Sequence, residues 1–579
     1  MPLSFSPVIP MADPKRGMRR NLTAYGDEEF SLFLRRAFIK AMGYTDEALD
    51  RPIIGITNTF SGFNACHRTV PELIEAVKRG VMLAGGLPVE FPTITLHESF
   101  AYPTSMYLRN LMAVDTEEMI RAQPVDSVVL IGGCDKTTPA QVMGAVSADR
   151  PTIVLPVGPM LVGHFKGEVL GACTDCRRLW GEFRGGRMSG EDIEVANERL
   201  VPSVGTCGVM GTASTIACMM EAMGMTVPGA ATTPAVHADR VRIAEATGKR
   251  AAELIKDGIR PSEILTKEAF HNAIVMLQAI GGSTNGVVHL SAIAGRTQTP
   301  LTLEEYDEIG KRTPVLVDLK PSGDHYMEHF HYAGGVPRLM QELKDLLKLD
   351  AKHVMGGTLG DAIKVFEDVP GQTVIKPRNA PLKKEGGMAI LRGNLAPRGA
   401  VIKQAAASPK LMQHEGRAVV FESVADMTNR IDDPALDITE DDVIVMRNAG
   451  PIGAPGMPEA GYIPIPKKIA QKGIKDMVRM SDARMSGTAF GTIVLHISPE
   501  SAVGGPLALV RNGDRIRLDV ANRRVELLVD DAELDKRRKE WTPPPVPEEA
   551  QRGYGKLYRE HVQQADEGCD FDFLAAVRK

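Results

Sequence analysis

The sequence lacks long apolar runs and blocks of charge of one sign. No stretch approaches the ~18 consecutive apolar residues of a membrane-spanning helix, so we expect no membrane partner. Its 68 basic residues are interspersed with 73 acidic ones, which leaves no stripe of one sign for a nucleic acid or an anionic lipid surface. The first 20 residues are interrupted by Pro2, Pro7 and Pro10 and contain no continuous apolar core of a signal peptide. The sequence predicts a globular cytoplasmic protein.

Cysteine is also scarce, with seven residues in a chain of 579. An odd and sparse number gives no disulfide framework, and a reducing compartment keeps thiols free. The cysteines are therefore available as metal ligands. The length allows two or more domains, each with its own hydrophobic core.

Short apolar runs that do not alternate dominate the first part of the chain. The runs at 52–58, 126–133 and 151–156 are typical of strands buried on both faces of a parallel sheet. Stretches with apolar residues at helical spacing, such as 69–84 and 105–122, lie between them. This order predicts an α/β domain, in which ligands bind beyond the carboxyl ends of the strands. Cys66 and Cys134 follow two of these runs.

The pattern of apolar and turn-forming residues changes after about residue 377. Apolar runs separated by turns, and an alternating run at 515–520, predict a second, β-dominated domain with the form of a barrel. We place the domains at 1–378 and 379–579. The proline-rich stretch at 541–547 precedes a polar helix that we expect to lie on a neighbouring subunit.

Three cysteines, Cys66, Cys134 and Cys207, lie in loops rich in glycine and small polar residues. Such loops let the backbone approach a ligand closely, and thiolate is a soft ligand suited to iron–sulfur clusters. Three thiolates would leave one iron open to a substrate. The C-x-x-C pair Cys173 and Cys176 is a rival metal or redox motif, and spacing alone leaves both sets open.

Three carboxylates, Glu98, Asp135 and Glu459, lie at the ends of apolar runs or in loops. Hard carboxylate oxygens in such places can hold an octahedral cation such as Mg²⁺ that also takes substrate oxygens. A single acid of this kind is more often a solvated surface residue, and Lys136 beside Asp135 would ordinarily be its salt-bridge partner.

Ser486 lies in a polar loop that precedes the apolar run at 492–497. A serine hydroxyl is a poor base in water, but a nearby cation can stabilise its alkoxide form. Most serines before glycine only make turns, so this residue supports no special role by itself.

Taken together, these motifs resemble those of the dihydroxy-acid and sugar-acid dehydratase family. They occur in order from about Asn58 to about Asp530. The matching motifs are Gly132–Ala140, Gly205–Ala213, Gly282–Asn285, Gly450–Pro451 with Pro455–Glu459, and Arg484–Gly487.

The chain departs from the family pattern in two places. Met485 stands where the family usually has phenylalanine, and the loop Phe63–Arg68 differs from its commonest form. The stretch Gly171–Arg178 is more similar to the sugar-acid members, in particular the L-arabinonate or pentonate branch, than to the branched-chain amino-acid enzymes.

The resemblance implies a set of site residues. The cluster ligands are Cys66, Cys134 and Cys207, in preference to the C-x-x-C pair, and the cluster is commonly 2Fe-2S, with 4Fe-4S in some members. The Mg²⁺ ligands are Glu98, Asp135, Glu459 and a carbamylated Lys136, whose added carboxylate turns a cation into an anion. The substrate-binding residues are Ser283, Thr284 and Asn285. The family likeness also implies a homodimer or homotetramer.

The reaction implied is the loss of water from an aldonate, such as L-arabinonate, D-xylonate or D-gluconate, to give a 2-keto-3-deoxy acid. The Ser486 alkoxide would take the C2 proton, Mg²⁺ would stabilise the enolate, and the cluster iron would remove the C3 hydroxyl as a Lewis acid. No redox change is needed.

Two other functions remain open from the sequence. Dihydroxy-acid dehydratase of branched-chain amino-acid synthesis would use the same residues on a substrate with an apolar tail. A non-catalytic iron–sulfur sensor would use the cysteines but would have no use for the carboxylates and Ser486.

Overall fold

The computed structural model describes residues 16–22, 25–364, 366 and 368–576. It has an N-terminal α/β part and a C-terminal β-barrel, so the predicted fold class is confirmed. The boundary at 378/379 stays a prediction. Within the described residues, no helix has the length and apolar character needed to cross a bilayer.

The first sheet contains four parallel strands in the order β2-β1-β3-β4. These strands are β1 Ile53–Asn58, β2 Leu87–Pro92, β3 Ser127–Gly132 and β4 Thr152–Pro156. Every residue of β3 and β4 is buried, which explains the apolar runs without alternation. A separate hairpin follows, formed by β5 Gly163–Phe165 and β6 Glu168–Leu170.

Helices connect and cover the strands of this part. They are α1 Glu28–Lys40, α2 Asp46–Leu49, α3 Val70–Leu83, α4 Arg109–Ala122, α5 Thr137–Ala148, α6 Thr174–Arg184, α7 Gly190–Arg199, α8 Thr212–Ala222, α9 Ala238–Asp257, α10 Pro261–Ile264, α11 Lys267–Ala279, α12 Asn285–Gly295, α13 Leu303–Arg312, α14 Met327–Tyr332, α15 Gly335–Glu342 and α16 Leu359–Ala362. One continuous apolar core joins most of these helices to the sheet. The helices α6 and α7 pack with the β5–β6 hairpin in a separate apolar cluster.

The C-terminal part is a closed eight-stranded barrel in the order β10-β11-β12-β8-β7-β14-β13-β9. Its strands are β7 Ala389–Gly393, β8 Ala396–Ile402, β9 Gln413–Phe421, β10 Val443–Met446, β11 Arg479–Ser481, β12 Ile493–Ser498, β13 Arg515–Asp519 and β14 Arg524–Leu527. Strands β9, β10, β11 and β12 are parallel neighbours. The remaining helices are α17 Val424–Arg430, α18 Lys467–Ala470, α19 Asp531–Glu540 and α20 Gly553–His561.

The tail packs on its own chain. Tyr558 of α20 and Phe571 lie in an apolar cluster with Met106 of the N-terminal part. The buried Arg109 side chain donates hydrogen bonds of 2.9 and 2.8 Å to the carbonyls of Gly568 and Cys569. The helix therefore has an aromatic, apolar face that its polar composition concealed and that packs on its own chain. Its contact with a neighbouring subunit stays a prediction.

Candidate active site

The carboxyl ends of three adjacent parallel strands bring the first site residues together. Cys66 follows β1, Glu98 follows β2, and Cys134 with Asp135 follows β3. The loop of Cys207 joins the same edge, because its neighbour Thr206 forms a parallel bridge with Pro159, which follows β4. The sequence predicted this edge as the ligand site, and the topology explains why distant loops meet there.

Glu98, Asp135 and Glu459 form one acidic cluster. Each offers a carboxylate oxygen, and these three oxygens lie within 4.8 Å of one another. Glu459 comes from the barrel, in the connection between β10 and β11, so the cluster joins the two parts of the chain. Partly buried carboxylates at such distances suit a hard octahedral cation.

Two buried cations, Lys136 and Arg484, face this cluster. Lys136 Nζ contacts Asp135 and lies 3.6 Å from Glu98 Oε2 and 3.9 Å from Glu459 Oε1. Arg484 Nη1 lies 2.5 Å from Glu459 Oε1, and its Nη2 lies 3.5 Å from Glu98 Oε2. The three carboxylates thus share two cationic partners.

The carboxylates respond differently to this environment. Burial opposes ionisation of Glu98, but the charges of Lys136 and Arg484 outweigh it and hold the pKa of Glu98 well below its usual value. Burial raises the pKa of Glu459 despite the neighbouring Arg484. Three carboxylates that share two cations leave a net negative charge in the cluster, which favours the binding of a further cation.

The thiols of the site lie in two close pairs. Cys66 and Cys134 are within hydrogen-bonding range of each other, and Cys207 Sγ lies 3.5 Å from Cys173 Sγ. The hydrogen bond from Cys134, with support from His97, lowers the pKa of Cys66 to about 6. The structure thus brings the three predicted cysteines to one place, and it adds Cys173 beside Cys207.

His67 holds the Cys134 loop in place. Its Nε2 accepts hydrogen bonds of 2.9 Å from the backbone N–H groups of Gly133 and Cys134, and its Nδ1 lies 2.9 Å from the carbonyl of Thr59. Burial lowers the pKa of His67 to about 4, so the ring is neutral and keeps Nε2 as an acceptor. Sequence reasoning missed this role, although the histidine directly follows Cys66.

Ser486 enters the same region from the barrel, on the loop between β11 and β12. Its Oγ lies 2.9 Å from Thr488 Oγ1 and accepts the Thr488 N–H at 3.4 Å. The Thr488 carbonyl accepts a 2.9 Å hydrogen bond from Thr174, the residue after Cys173. Ser486 is therefore connected to the thiol region through Thr488 and Thr174. Its own side chain is only partly buried.

Gly487 allows this loop to approach the N-terminal part closely. A Cβ at this position would lie 2.6 Å from Ser283 Oγ and 2.8 Å from the backbone nitrogen of Thr212. Any larger residue would push the Ser486 loop away from the thiols and carboxylates.

The tetrapeptide Arg-Met-Ser-Gly occurs twice, in two different environments. At Arg187–Gly190 the serine is exposed, and its Oγ accepts the Asp192 N–H at 3.0 Å as the N-cap of α7. At Arg484–Gly487 the arginine contacts the acidic cluster and the serine contacts Thr488. The local sequence is the same, and only the position in the fold differs.

Ser283, Thr284 and Asn285 lie next to the Ser486 loop but are fully buried. Ser283 Oγ is 2.8 Å from Thr212 Oγ1 and accepts the Asn285 N–H at 3.1 Å. Thr284 Oγ1 and Asn285 Oδ1 have no hydrogen-bond partner in the described part of the chain. Their role in substrate binding stays a prediction.

Sequence reasoning also gave no role to Arg484, Thr104 or Lys403. Arg484 Nη2 donates to Thr104 Oγ1 at 2.7 Å, and that hydroxyl donates to Glu98 Oε1 at 2.6 Å. Lys403 Nζ donates to the carbonyl of Gly487 at 3.1 Å. The position of Arg484 two residues before Ser486 was a usable signal, whereas nothing near Lys403 in the sequence pointed to this loop.

Comparison with known proteins agrees with this geometry. Residues 51–362 match the family described as Dihydroxy-acid/6-phosphogluconate dehydratase N-terminal, and residues 373–569 match its C-terminal counterpart. The chain belongs to this dehydratase family. Dehydratases of the family generally use an iron–sulfur cluster.

Relatives of nearly equal length carry several substrate names. L-arabinonate dehydratase of Rhizobium leguminosarum bv. trifolii is 48% identical over 96% of this chain and 96% of its own. The 6-deoxy-6-sulfo-D-gluconate dehydratase of Pseudomonas putida is 42% identical over 95% of this chain and 96% of its own. Dihydroxy-acid dehydratase of Syntrophobacter fumaroxidans is 40% identical over 95% of this chain and 99% of its own.

Proposed function

We propose that the protein is a hydro-lyase that dehydrates a sugar acid, an aldonate such as L-arabinonate, D-xylonate or D-gluconate, to the 2-keto-3-deoxy acid. The observation that carries the proposal is the meeting of soft thiols, hard carboxylates and a partly exposed serine at one edge of the sheet. A non-catalytic iron–sulfur sensor would need only the thiols. The identities of 48% and 42% to two sugar-acid dehydratases, against 40% to a dihydroxy-acid dehydratase, favour a sugar acid.

The donor sets fit the two metal groups that this chemistry requires. Cys66, Cys134 and Cys207 would hold a 2Fe-2S cluster, or a 4Fe-4S cluster, because three thiols from separate loops converge there, two of them buried and one half-buried. The acidic cluster would hold Mg²⁺, because its three carboxylates converge and share only two cationic partners. When bound, Mg²⁺ would act as a Lewis acid for the C1 carboxylate and the C2 oxygen, and the cluster would act as one for the C3 hydroxyl.

Lys136 is a further group of the magnesium site in this proposal. Its neutral amine would attack CO₂, forming an N–C bond and releasing a proton, so that a carbamate replaces the ammonium. The buried Nζ already lies within 3.9 Å of oxygens from Glu98 and Glu459, so the added carboxylate would join the same oxygen cluster. Arg484 would remain as the cation that orients Glu459 through its 2.5 Å contact.

The protein residues then supply the proton transfer. The Ser486 alkoxide would take the C2 proton of the bound acid, and the C3–O bond would break. The leaving hydroxide would then take that proton from Ser486 Oγ, which releases water and restores the alkoxide. The resulting enol tautomerises to the 2-keto-3-deoxy acid. Thr488 orients the serine through its 2.9 Å hydroxyl contact, and Gly487 keeps the loop close to Ser283.

The proposal also includes a cytoplasmic homodimer or homotetramer. All seven cysteines are free, which agrees with a reducing compartment.

Substrate choice is tested by an anaerobic assay of the purified holoenzyme against L-arabinonate, D-xylonate, D-gluconate and 2,3-dihydroxyisovalerate, with detection of the keto acid. We expect turnover of one or more aldonates and at least about tenfold lower kcat/KM, or about 1.4 kcal/mol in transition-state binding, for the branched-chain diol. Preference for dihydroxyisovalerate would replace the proposal with the branched-chain function, and activity on none of them with the cluster intact would favour a sensor.

The ligand assignment is tested by comparing Cys207→Ser with Cys173→Ser, since these two thiols touch. We expect C207S to lose iron and acid-labile sulfide, because a cluster ligand is removed. We expect C173S, the matched control, to keep both close to wild-type stoichiometry. The opposite result would transfer the ligand role from Cys207 to the C-x-x-C cysteine.

A further inference from the structure

Lys403 is a buried lysine in an unusual position. It follows β8, its side chain is completely buried, and it makes no ion pair with a carboxylate in the described part of the chain. Its Nζ donates instead to the carbonyl of Gly487 at 3.1 Å. Burial lowers the pKa of Lys403 to about 7. An uncompensated ammonium in such surroundings destabilises the fold unless another anion offsets it.

The peptide group that Lys403 contacts also contacts the proposed base. The carbonyl of Gly487 and the N–H of Thr488 belong to the same peptide bond. That N–H donates to Ser486 Oγ at 3.4 Å, while the carbonyl accepts from Lys403 Nζ. A hydrogen bond to the oxygen of an amide polarises the amide and makes its N–H a stronger donor.

We propose that Lys403 is a positioning residue that stabilises the Ser486 alkoxide through the Gly487–Thr488 peptide. The inference rests on the proposed function, because it takes Ser486 as the base. The alkoxide in turn supplies the anion that the buried ammonium otherwise lacks. The contact also fixes the loop at Gly487, where it packs on Ser283 and Thr212.

Other charged or titratable groups surround the loop from several elements. They are Arg484 on the same loop, Glu98, Asp135, Lys136 and Glu459 beyond Arg484, Cys207 near Thr488, and Cys173 next to Thr174. Replacing Lys403 leaves all of them in place, so the effect of the lysine can be measured separately.

The positive charge of Lys403 sets the sign of the expected pH effect. A cation that acts on Ser486 lowers the pKa of the serine, so its removal raises that pKa. At a pH below the serine pKa, the variant therefore contains less alkoxide than wild type. If the serine pKa rises by one unit, the alkoxide fraction and the rate fall about tenfold. The loss is recovered as the pH rises.

The test compares wild type with Lys403→Met, which keeps most of the side-chain volume and removes the charge. We expect kcat/KM for the preferred aldonate to fall at least about tenfold at about pH 6.5, below the pKa of Lys403, where its ammonium is charged. The alkaline rise of the profile should be displaced by about one pH unit or more to higher pH. Iron, sulfide and Mg²⁺ content should match wild type. Lys410→Met, an exposed lysine of the same segment, is the control and should keep the wild-type profile.

A merely structural role would lower the melting temperature of Lys403→Met without moving the pH profile, and that outcome would overturn the inference. If K403M does not fold, Lys403→Gln keeps a hydrogen-bond donor without the charge and must show the same displacement of the profile. The variant Ser486→Ala distinguishes the role of the serine from that of the lysine. If S486A keeps turnover, the proposed base is wrong; if S486A is inactive and K403M has a wild-type profile, only the role of Lys403 fails.

Discussion

Ser486→Ala is expected to lower kcat for the preferred aldonate by about 10³- to 10⁴-fold while the protein keeps its iron, sulfide and Mg²⁺. The physical reason is that the C2 proton is barely acidic, and the variant lacks the oxygen that would take it. The serine is only partly buried and its Oγ contacts Thr488 alone among side chains of the described residues. Its removal should therefore cost little stability, which thermal unfolding would verify.

The repeated tetrapeptide provides a matched control for this experiment. Ser189→Ala removes a serine that has the same neighbours in the sequence as Ser486. This serine is the N-cap of α7 on the protein surface. We expect S189A to keep wild-type kcat and to lose about 1 kcal/mol of stability through the lost cap. Deuterium at C2 adds a second readout, because wild type should exchange or remove it and S486A should do neither. Retained turnover in S486A would exclude the serine as the base.

Lys136→Met is expected to lower kcat by about 10³-fold or more and to weaken Mg²⁺ binding by about 10- to 100-fold. In the proposal the lysine carries a carbamate oxygen into the cluster of Glu98, Asp135 and Glu459. Methionine fills the buried space but offers no oxygen. The enzyme should also lose activity on chelation of Mg²⁺ and regain it when Mg²⁺ is returned.

Labelled bicarbonate tests the carbamate directly. Wild-type protein incubated with ¹³C-bicarbonate and Mg²⁺ should show one additional carbonyl signal, and K136M should lack it. Lys352→Met, an exposed lysine paired with Glu263, is the control and should behave as wild type. An active enzyme without the signal would show that Lys136 acts as an ammonium, which neutralises Asp135 instead of binding the metal.

Much of the architecture could be predicted because it follows from local patterns. The apolar runs of β1, β3 and β4 and the helix α3 appear within a few residues of their predicted bounds. The barrel was also predicted from its runs and turns, since strand periodicity and turn residues are local properties. The packing of the tail helix α20 on Met106 was not predicted, because it joins segments that are distant in the sequence.

The site was predicted only in part. Cys66, Glu98 and Asp135 could be found because they follow strands of one sheet, whose carboxyl ends share an edge. The partners Thr104 and Lys403 could not, because their contacts join loops that are separate in the sequence. The place of Cys173 beside Cys207 likewise depends on where α6 begins.

The sequence by itself determined the fold class, the free thiols and the kinds of donor that the site contains, because periodicity, composition and donor chemistry are properties of residues and their neighbours. The tertiary structure alone decided which of two identical Arg-Met-Ser-Gly segments faces the acidic cluster and which caps a surface helix. It also decided that a lysine after β8 meets the peptide beside Ser486. Such contacts depend on how the barrel packs on the sheet, and no local pattern records the distance between two loops that the chain brings together only when it folds.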